Sequence, residues 1–344
     1  MPRHDIIVVG ASAGGVEALT ALARAQPADL KAAIFVVLHV APHHRSILPH
    51  ILTTAGKLKA THAKDNDPVE EGQIYVAPPD RHLLVQAGRL RLSRGPQENG
   101  SRPAIDALFR SAARSYGARV VGVVLTGALD DGTAGLVSVK QRGGLAVVQD
   151  PATAFCPDMP RSALEHASVD YCLPIERIGP LLPELAKKGK SMREKPMSKL
   201  LEKETRIAAD QAAEGEGAPG APSEFGCPSC GGVLNEVHDG DLLRFRCRVG
   251  HAFGAESLRV EQQESLEGAL WAALRALEEQ AALCRRMAVR GRELGQNRSA
   301  TRYDARAHSA EHQARTVRGV LQRGVALSEG DAGVELAELS KSSA

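Results

Sequence analysis

A doubly wound α/β domain with a mostly parallel sheet, followed by a small cysteine-containing module and a helical tail, is the architecture that this sequence predicts. Three observations carry it. Over residues 1–190, short β-branched runs alternate with helix-like stretches. Several of those runs are apolar without a break, as parallel strands covered on both faces must be. Beyond them the composition changes twice, first to a Lys/Glu-rich and Gly-rich stretch and then to a cysteine cluster followed by leucines at helical spacing.

In chain order, the strands are read at Ile6-Ile7-Val8-Val9, Ile34-Phe35-Val36-Val37-Leu38, Ile74-Tyr75-Val76, Val120 to Leu125, and Leu145-Ala146-Val147-Val148. Helices are expected at about 15–26, 103–116, 133–142 and 160–167. Leu83-Leu84-Val85 and Leu90-Arg91-Leu92, parted by a turn with Gly88, read as an inserted hairpin. Residues 191–222 read as a linker, with Glu214 to Gly220 the most tether-like part. A cysteine module is expected at 223–256, a helical tail at 257–330 and a disordered end at 331–344. Within the tail, Leu266, Leu270, Leu274, Leu277 and Ala281 form one stripe, with Trp271 beside it, and a second helix is expected at 302–325.

The 344 residues are 43% hydrophobic and 24% charged, with a formal net charge of +2, which demands neither a nucleic-acid nor a membrane partner. Aromatics at 3% argue against base stacking. No apolar run approaches the roughly 20 residues that span a bilayer, and the start lacks a signal peptide's apolar segment. Cys227, Cys230 and Cys247 cluster while the other three cysteines stand alone, a metal pattern rather than a disulfide framework. The cytoplasm is the expected location.

Chemistry is concentrated at strand ends. The first strand runs into Gly10-Ala11-Ser12-Ala13-Gly14-Gly15 and then a helix, the layout of a nucleophile elbow. Amides at that helix start would stabilise an oxyanion, with the Ala13 N–H first in line. A phosphate-binding glycine loop begins similarly, but the second strand ends Leu38-His39-Val40-Ala41-Pro42, with no acid to bind a ribose. His39 is placed to act as a base; His43, His44 and His50 are its rivals. A third strand end carries Gly127-Ala128-Leu129-Asp130-Asp131-Gly132, whose carboxylates would cap the next helix or orient an imidazole. Serine, histidine and aspartate thus each follow a strand, in an order unlike that of the α/β-hydrolases.

With these motifs, residues 5–185 resemble the methylesterase domain of the chemotaxis protein CheB. Further matching pieces are Tyr75-Val76-Ala77-Pro78, Arg102-Pro103-Ala104-Ile105-Asp106-Ala107-Leu108-Phe109 and Met159-Pro160-Arg161-Ser162-Ala163. The resemblance implies a protein-glutamate methylesterase with Ser12 as nucleophile, His39 as general base and acid, and Asp131 as its partner. It implies backbone oxyanion donors at Ala13 and Ala128, and no cofactor for catalysis. The implied substrates are glutamate γ-methyl esters of methylated chemoreceptors or related sensory proteins, with glutamine deamidation as a second activity. Arg102 and Arg161 are candidates for binding an acidic receptor surface; a salt bridge at a helix start is the competing role for Arg102. Many relatives carry an N-terminal receiver domain, which is not expected here because the catalytic strand begins near residue 5.

The tail offers Cys227-Pro228-Ser229-Cys230 and, downstream, Cys247-Arg248-Val249-Gly250-His251. Three thiolates and an imidazole satisfy a structural zinc, which makes this a zinc-ribbon-like module. A redox Cys-x-x-Cys is the competing explanation. His238 is an alternative ligand; His308 and His312 read as a solvated helix face. The rival to an enzyme is a signalling adaptor that binds partners through the metal module and helices.

Overall fold

The computed structural model describes residues 3–40, 46–187, 195–211 and 217–339, with backbone alone over 324–339. The rival histidines His43 and His44 lie outside the described residues. The chain divides into two compact units, one ending at Arg259 and the other beginning at Val260.

The first unit is built on the strands β1 (Ile6–Ala11), β2 (Ala33–Leu38), β3 (Lys59–His62) and β4 (Gln73–Val76). An antiparallel hairpin follows, β5 (His82–Gln86) and β6 (Arg89–Ser93), and then β7 (Val120–Val124), β8 (Leu145–Gln149) and β9 (Tyr171–Leu173). All strands but the hairpin form one sheet in the order β3-β4-β2-β1-β7-β8-β9, and every neighbouring pair is parallel. The helices α1 (Gly15–Arg24), α2 (Leu48–Ala55), α3 (Ile105–Tyr116), α4 (Thr133–Gln141), α5 (Asp158–His166) and α6 (Ile175–Lys187) cover both faces.

Alternation along β1 sorts the core. Ile7, Val9 and Ala11 pack with Leu19, Leu22, Leu52 and Leu182 on one face. Ile6 and Val8 pack with Leu108, Phe109, Leu136 and Met159 on the other. The chain builds outward from β1 through β2 to β3 and β4, then crosses back to lay β7 on the other side of β1. This reversal puts a crevice at the carboxyl ends of β2, β1 and β7.

The expected strands and the four expected helices are present. Sequence periodicity missed β3 and β9, which are short edge strands with mixed burial. It also missed α2 and α6; α6 holds Pro180 and Pro183, which disguise its helical pattern. Of the expected 191–222 linker, residues 191–194 and 212–216 lie outside the described residues, and 199–208 are a correction: α7 (Lys199–Ala208), capped by the Ser198 hydroxyl, packs Ala208 against Leu84, Ala104 and Ala107. Its few apolar positions were hidden by the surrounding lysines and glutamates.

The cysteine module is a four-stranded sheet of β10 (Ala221–Gly226), β11 (Val233–Asp239), β12 (Leu242–Cys247) and β13 (Ala252–Gly254). It belongs to the same compact unit as the α/β domain. A buried ion cluster joins them: Glu204 of α7 accepts from Arg244 at 2.8 Å and from Arg246 at 3.2 Å, Arg246 reaches Glu98 at 3.1 Å, and Glu98 also pairs with Arg110 of α3. Burial opposes charge on Glu204, yet the facing guanidiniums hold its carboxyl well below the usual range.

Two long helices complete the chain, α8 (Ala255–Glu293) and α9 (Asn297–Leu339). In the second unit Leu274, Ala314 and Leu321 form a small core with Leu270, Leu277 and Val317. Leu266 and Trp271 are exposed. The helix persists through 331–339, where disorder was expected. Among the described residues, no helix is long and apolar enough to cross a membrane.

Candidate active site

Ser12 is the first residue past β1, and its N–H donates to the Thr126 carbonyl at the end of β7 (2.9 Å). The two strand ends are pressed together at Gly127: a Cβ there would lie 2.8 Å from Ser12 Cβ and collide with Met159 Sδ. Only glycine lets β7 approach the serine this closely. Thr126 locks the approach by donating its hydroxyl to the Ala13 carbonyl (2.8 Å). Ala13 and Ala128 are exposed on the two flanking turns, and neither N–H has an intramolecular acceptor among the described residues. They are free to meet a developing oxyanion.

His39 follows β2, with its N–H on the Ala11 carbonyl at 3.2 Å, one residue before Ser12. Its ring is half-buried, and Nε2–H donates to Asp131 Oδ2 at 2.8 Å, which leaves Nδ1 as the basic nitrogen. Of the two neighbouring aspartates it is Asp131 that meets the imidazole. Asp130 instead accepts a hydrogen bond from the Ser257 hydroxyl, and burial raises its pKa.

Asp131 is buried and accepts from four donors: His39, the backbone N–H groups of Ile105 (2.7 Å) and Asp106 (3.1 Å), and the Asn99 amide (2.9 Å). It therefore caps α3 from outside that helix. Burial alone would raise its pKa; the His39 hydrogen bond and charge, the Ile105 N–H and the Asn99 amide together hold it below the ordinary carboxylate range. Asp106, in the first turn of α3, returns the arrangement by accepting from Gly132 (3.0 Å) and Gly135 (2.6 Å) at the start of α4. Burial and the adjacent Asp131 charge push Asp106 up to about 7. The carboxylates were expected either to cap or to orient; Asp131 does both, across the sheet end rather than on its own helix.

A cavity of about 70 Å³ opens beside His39, walled by Val40, Gln97, Ser101 and Arg102. The Arg102 guanidinium is taken up by Asp80 (2.7 Å) and by the Gly95 carbonyl (2.9 Å), so it shapes this wall as an ion pair rather than offering a free charge. Arg161 is exposed on α5. His50 is exposed on α2.

The expected metal ligands converge. Cys230 Sγ lies 3.7 Å from Cys247 Sγ, and His251 Nδ1 lies 3.6 Å from Cys247 Sγ and 3.7 Å from Cys227 Sγ. All four ligand atoms fall within 4.8 Å of one another. A tetrahedral zinc with Zn–S of about 2.3 Å and Zn–N of about 2.0 Å sets such edges at roughly 3.5–3.8 Å, so the donor set fits that ion. His238 is exposed and outside the cluster, and His308 and His312 lie exposed on α9.

Sequence reasoning assigned no role to Asn99, Asp106, Glu98 or Glu204. The Asn99-Gly100 pair was a legible turn signal, and Asp106 sat inside a quoted motif; the buried partners of the two glutamates lie too far away in sequence to be inferred.

A parallel α/β sheet with serine, an aspartate-bound histidine and paired free amides at adjacent strand ends is the layout of a hydrolase. The CheB methylesterase family model matches residues 7–182. A putative protein-glutamate methylesterase/protein-glutamine glutaminase of Leptospira interrogans is 40% identical over 184 residues, spanning 53% of this chain and 95% of that protein. The protein-glutamate methylesterase/protein-glutamine glutaminase of Pyrococcus horikoshii is 38% identical, over 52% of this chain and 50% of its own. The catalytic domain of Thermotoga maritima CheB methylesterase superposes with a TM-score of 0.51 at 34% identity, over 53% of this chain and 98% of that domain. The chain belongs to the CheB methylesterase family.

Proposed function

We propose that this protein hydrolyses glutamate γ-methyl esters on the cytoplasmic helices of methylated chemoreceptors or related sensory proteins, and deamidates glutamines by the same route. The observation that carries the reading is the His39–Asp131 hydrogen bond of 2.8 Å at the strand end beside Ser12. His39 Nδ1 takes the Ser12 proton as Oγ attacks the ester carbonyl, and the Ala13 and Ala128 amides receive the oxyanion. The carbon–oxygen bond to the methoxy group breaks, and methanol leaves with the proton from the imidazolium. Water, deprotonated by His39, then releases the glutamate and restores Ser12. Asp131, held ionised by its four donors, keeps Nε2 protonated, so that Nδ1 is the nitrogen that takes and returns each proton.

Arg161, exposed on α5, is the candidate for meeting an acidic receptor surface. Zinc at Cys227, Cys230, Cys247 and His251 is structural, since protein fills every position and none remains for substrate. A cytoplasmic location follows from the substrate. An adaptor has no use for an aspartate-oriented histidine beside an elbow serine, so the enzyme reading is preferred to it. The test is methanol release from methylated receptor cytoplasmic fragments. Wild type releases methanol, while Ser12→Ala and His39→Ala lose the activity by several orders of magnitude. A folded wild type that is inactive on several receptors would defeat the reading.

A further inference from the structure

We propose that Asn99 is a positioning residue through which the metal-binding module organises the catalytic carboxylate, so that metal binding sets hydrolase activity. The inference rests on the hydrolase and metal readings above.

Asn99 stands between the two parts of the first unit and bonds to both. Its amide nitrogen donates to Asp131 at 2.9 Å and to Asp106 at 3.1 Å. Its side-chain oxygen accepts the Gly254 N–H at 2.8 Å, and its own N–H donates to the Ala252 carbonyl at 2.8 Å. Ala252 directly follows the ligand His251, and its N–H returns to the Gln97 carbonyl at 3.3 Å. Residues 97–99 are thus stitched to the strand that leaves the metal site.

Two more contacts fix the same joint. Arg246, next to the ligand Cys247, binds Glu98 at 3.1 Å and donates to the Gly250 carbonyl at 2.7 Å. Asp130, next to Asp131, accepts from Ser257, and a Cβ at Gly254 would collide with its carboxylate. From ligand to catalytic histidine the path is short: His251, the adjoining backbone, Asn99, Asp131, His39. Every link is a covalent neighbour or a hydrogen bond of ordinary length. A module of this size holds little apolar core of its own, mainly Leu234, Phe245 and Phe253 with the thiols of Cys227 and Cys247, to which α8 adds Leu258. Its order, and hence the placement of residues 252–254, follows the metal.

Asn99 has a local duty as well. With φ at 51° followed by Gly100 at 68°, it forms the tight turn closed by hydrogen bonds between Glu98 and Ser101. Asn99→Gly keeps that turn and deletes the side chain, so it separates turn formation from positioning. Asn99→Asp keeps the turn and the acceptor for Gly254 but removes the donors to Asp131.

The test uses the full chain, zinc-loaded or chelated, and follows labelling of Ser12 by a fluorophosphonate, which needs the triad but not the natural substrate. Asn99→Gly slows labelling by about 10- to 100-fold at unchanged zinc content, the usual worth of one hydrogen bond to a charged group. Chelation slows wild type by a similar factor and slows Asn99→Gly little further, because both break one path. Gly254→Ala, which displaces the module without touching a ligand, retains zinc and also slows labelling. Asn99→Asp moves the acidic limb of the rate–pH profile to higher pH. Hydrogen exchange at amides 97–106 rises on chelation. Equal slowing of wild type and Asn99→Gly by chelation, wild-type labelling in Asn99→Gly, or unchanged exchange at 97–106 would each overturn the proposal. If Ser12 labels as described but no glutamate ester is cleaved, the substrate reading fails and the coupling stands. If Ser12 never labels, the exchange measurement alone decides the coupling.

Discussion

Replacing Asp131 by asparagine leaves the size of the side chain unchanged and removes its charge and half its acceptors. Oδ2 serves His39 and the Ile105 N–H, and Oδ1 serves the Asn99 amide and the Asp106 N–H. An asparagine oxygen satisfies only one of these pairs, and its NH2 then faces two donors. If the oxygen stays toward His39, α3 loses part of its cap and Asn99 loses a partner. If the amide flips, NH2 donates to Nε2, the proton moves to Nδ1, and that nitrogen can no longer serve as a base. Two lost hydrogen bonds to a buried carboxylate cost about 3–6 kcal/mol at roughly 1.5–3 each. Relief of Asp106, whose pKa the Asp131 charge helps to raise, offsets part of that cost. For turnover the wrong tautomer dominates, and a fall of about 10⁴ in kcat is expected. Urea denaturation measures the first quantity and methyl ester hydrolysis the second. A variant that folds and turns over within tenfold of wild type would show that the Asp131 carboxylate does not set the tautomer of His39.

Three other outcomes follow from the same contacts. Asp106 holds a proton in the folded protein between its ordinary 3.8 and about 7, where the unfolded chain has lost it, so its ionisation costs stability as pH rises through that window. Asp131, Glu98 and Arg110 face it. The unfolding free energy of Asp106→Asn minus that of wild type should therefore climb from about pH 4 to about pH 7 by a few kcal/mol at most, because each pH unit in that window is worth roughly 1.4 kcal/mol. A flat difference would contradict it. Glu204→Gln takes the carboxylate charge from buried Arg244 and Arg246, leaving Arg246 to Glu98 and Arg244 to Asp239, and should cost up to about 3–5 kcal/mol in urea unfolding of the first unit, whereas a surface pair would cost under about 1. Cys230→Ser should lower bound zinc well below one per chain and open residues 221–254 to protease, while the cores around β1 stay protected.

Legibility in the sequence followed the length scale of the physics. Unbroken apolar strands and a serine between small residues are local patterns, so β1, β2, β7 and the Ser12 elbow could be read directly, and the cysteine spacing marked the module. Edge strands β3 and β9 carry too few buried positions to stand out. Helix α7 was obscured because its burial depends on Glu204, a residue type that reads as solvated until Arg244 and Arg246 are brought to it. The crossed capping of α3 by Asp131 and of α4 by Asp106 links residues 25 to 29 apart, a distance at which no periodicity operates. Asn99 was readable as a turn residue, but its second set of bonds exists only once the module is folded against the site.

The most direct test of the central claim is a quenched single turnover on a methylated receptor peptide, with mass spectrometry of the protein. A transient adduct of the peptide's glutamyl group on Ser12 is expected, formed with methanol release and absent from Ser12→Ala. Methanol release at the wild-type rate from Ser12→Ala, with no adduct on wild type, would contradict it.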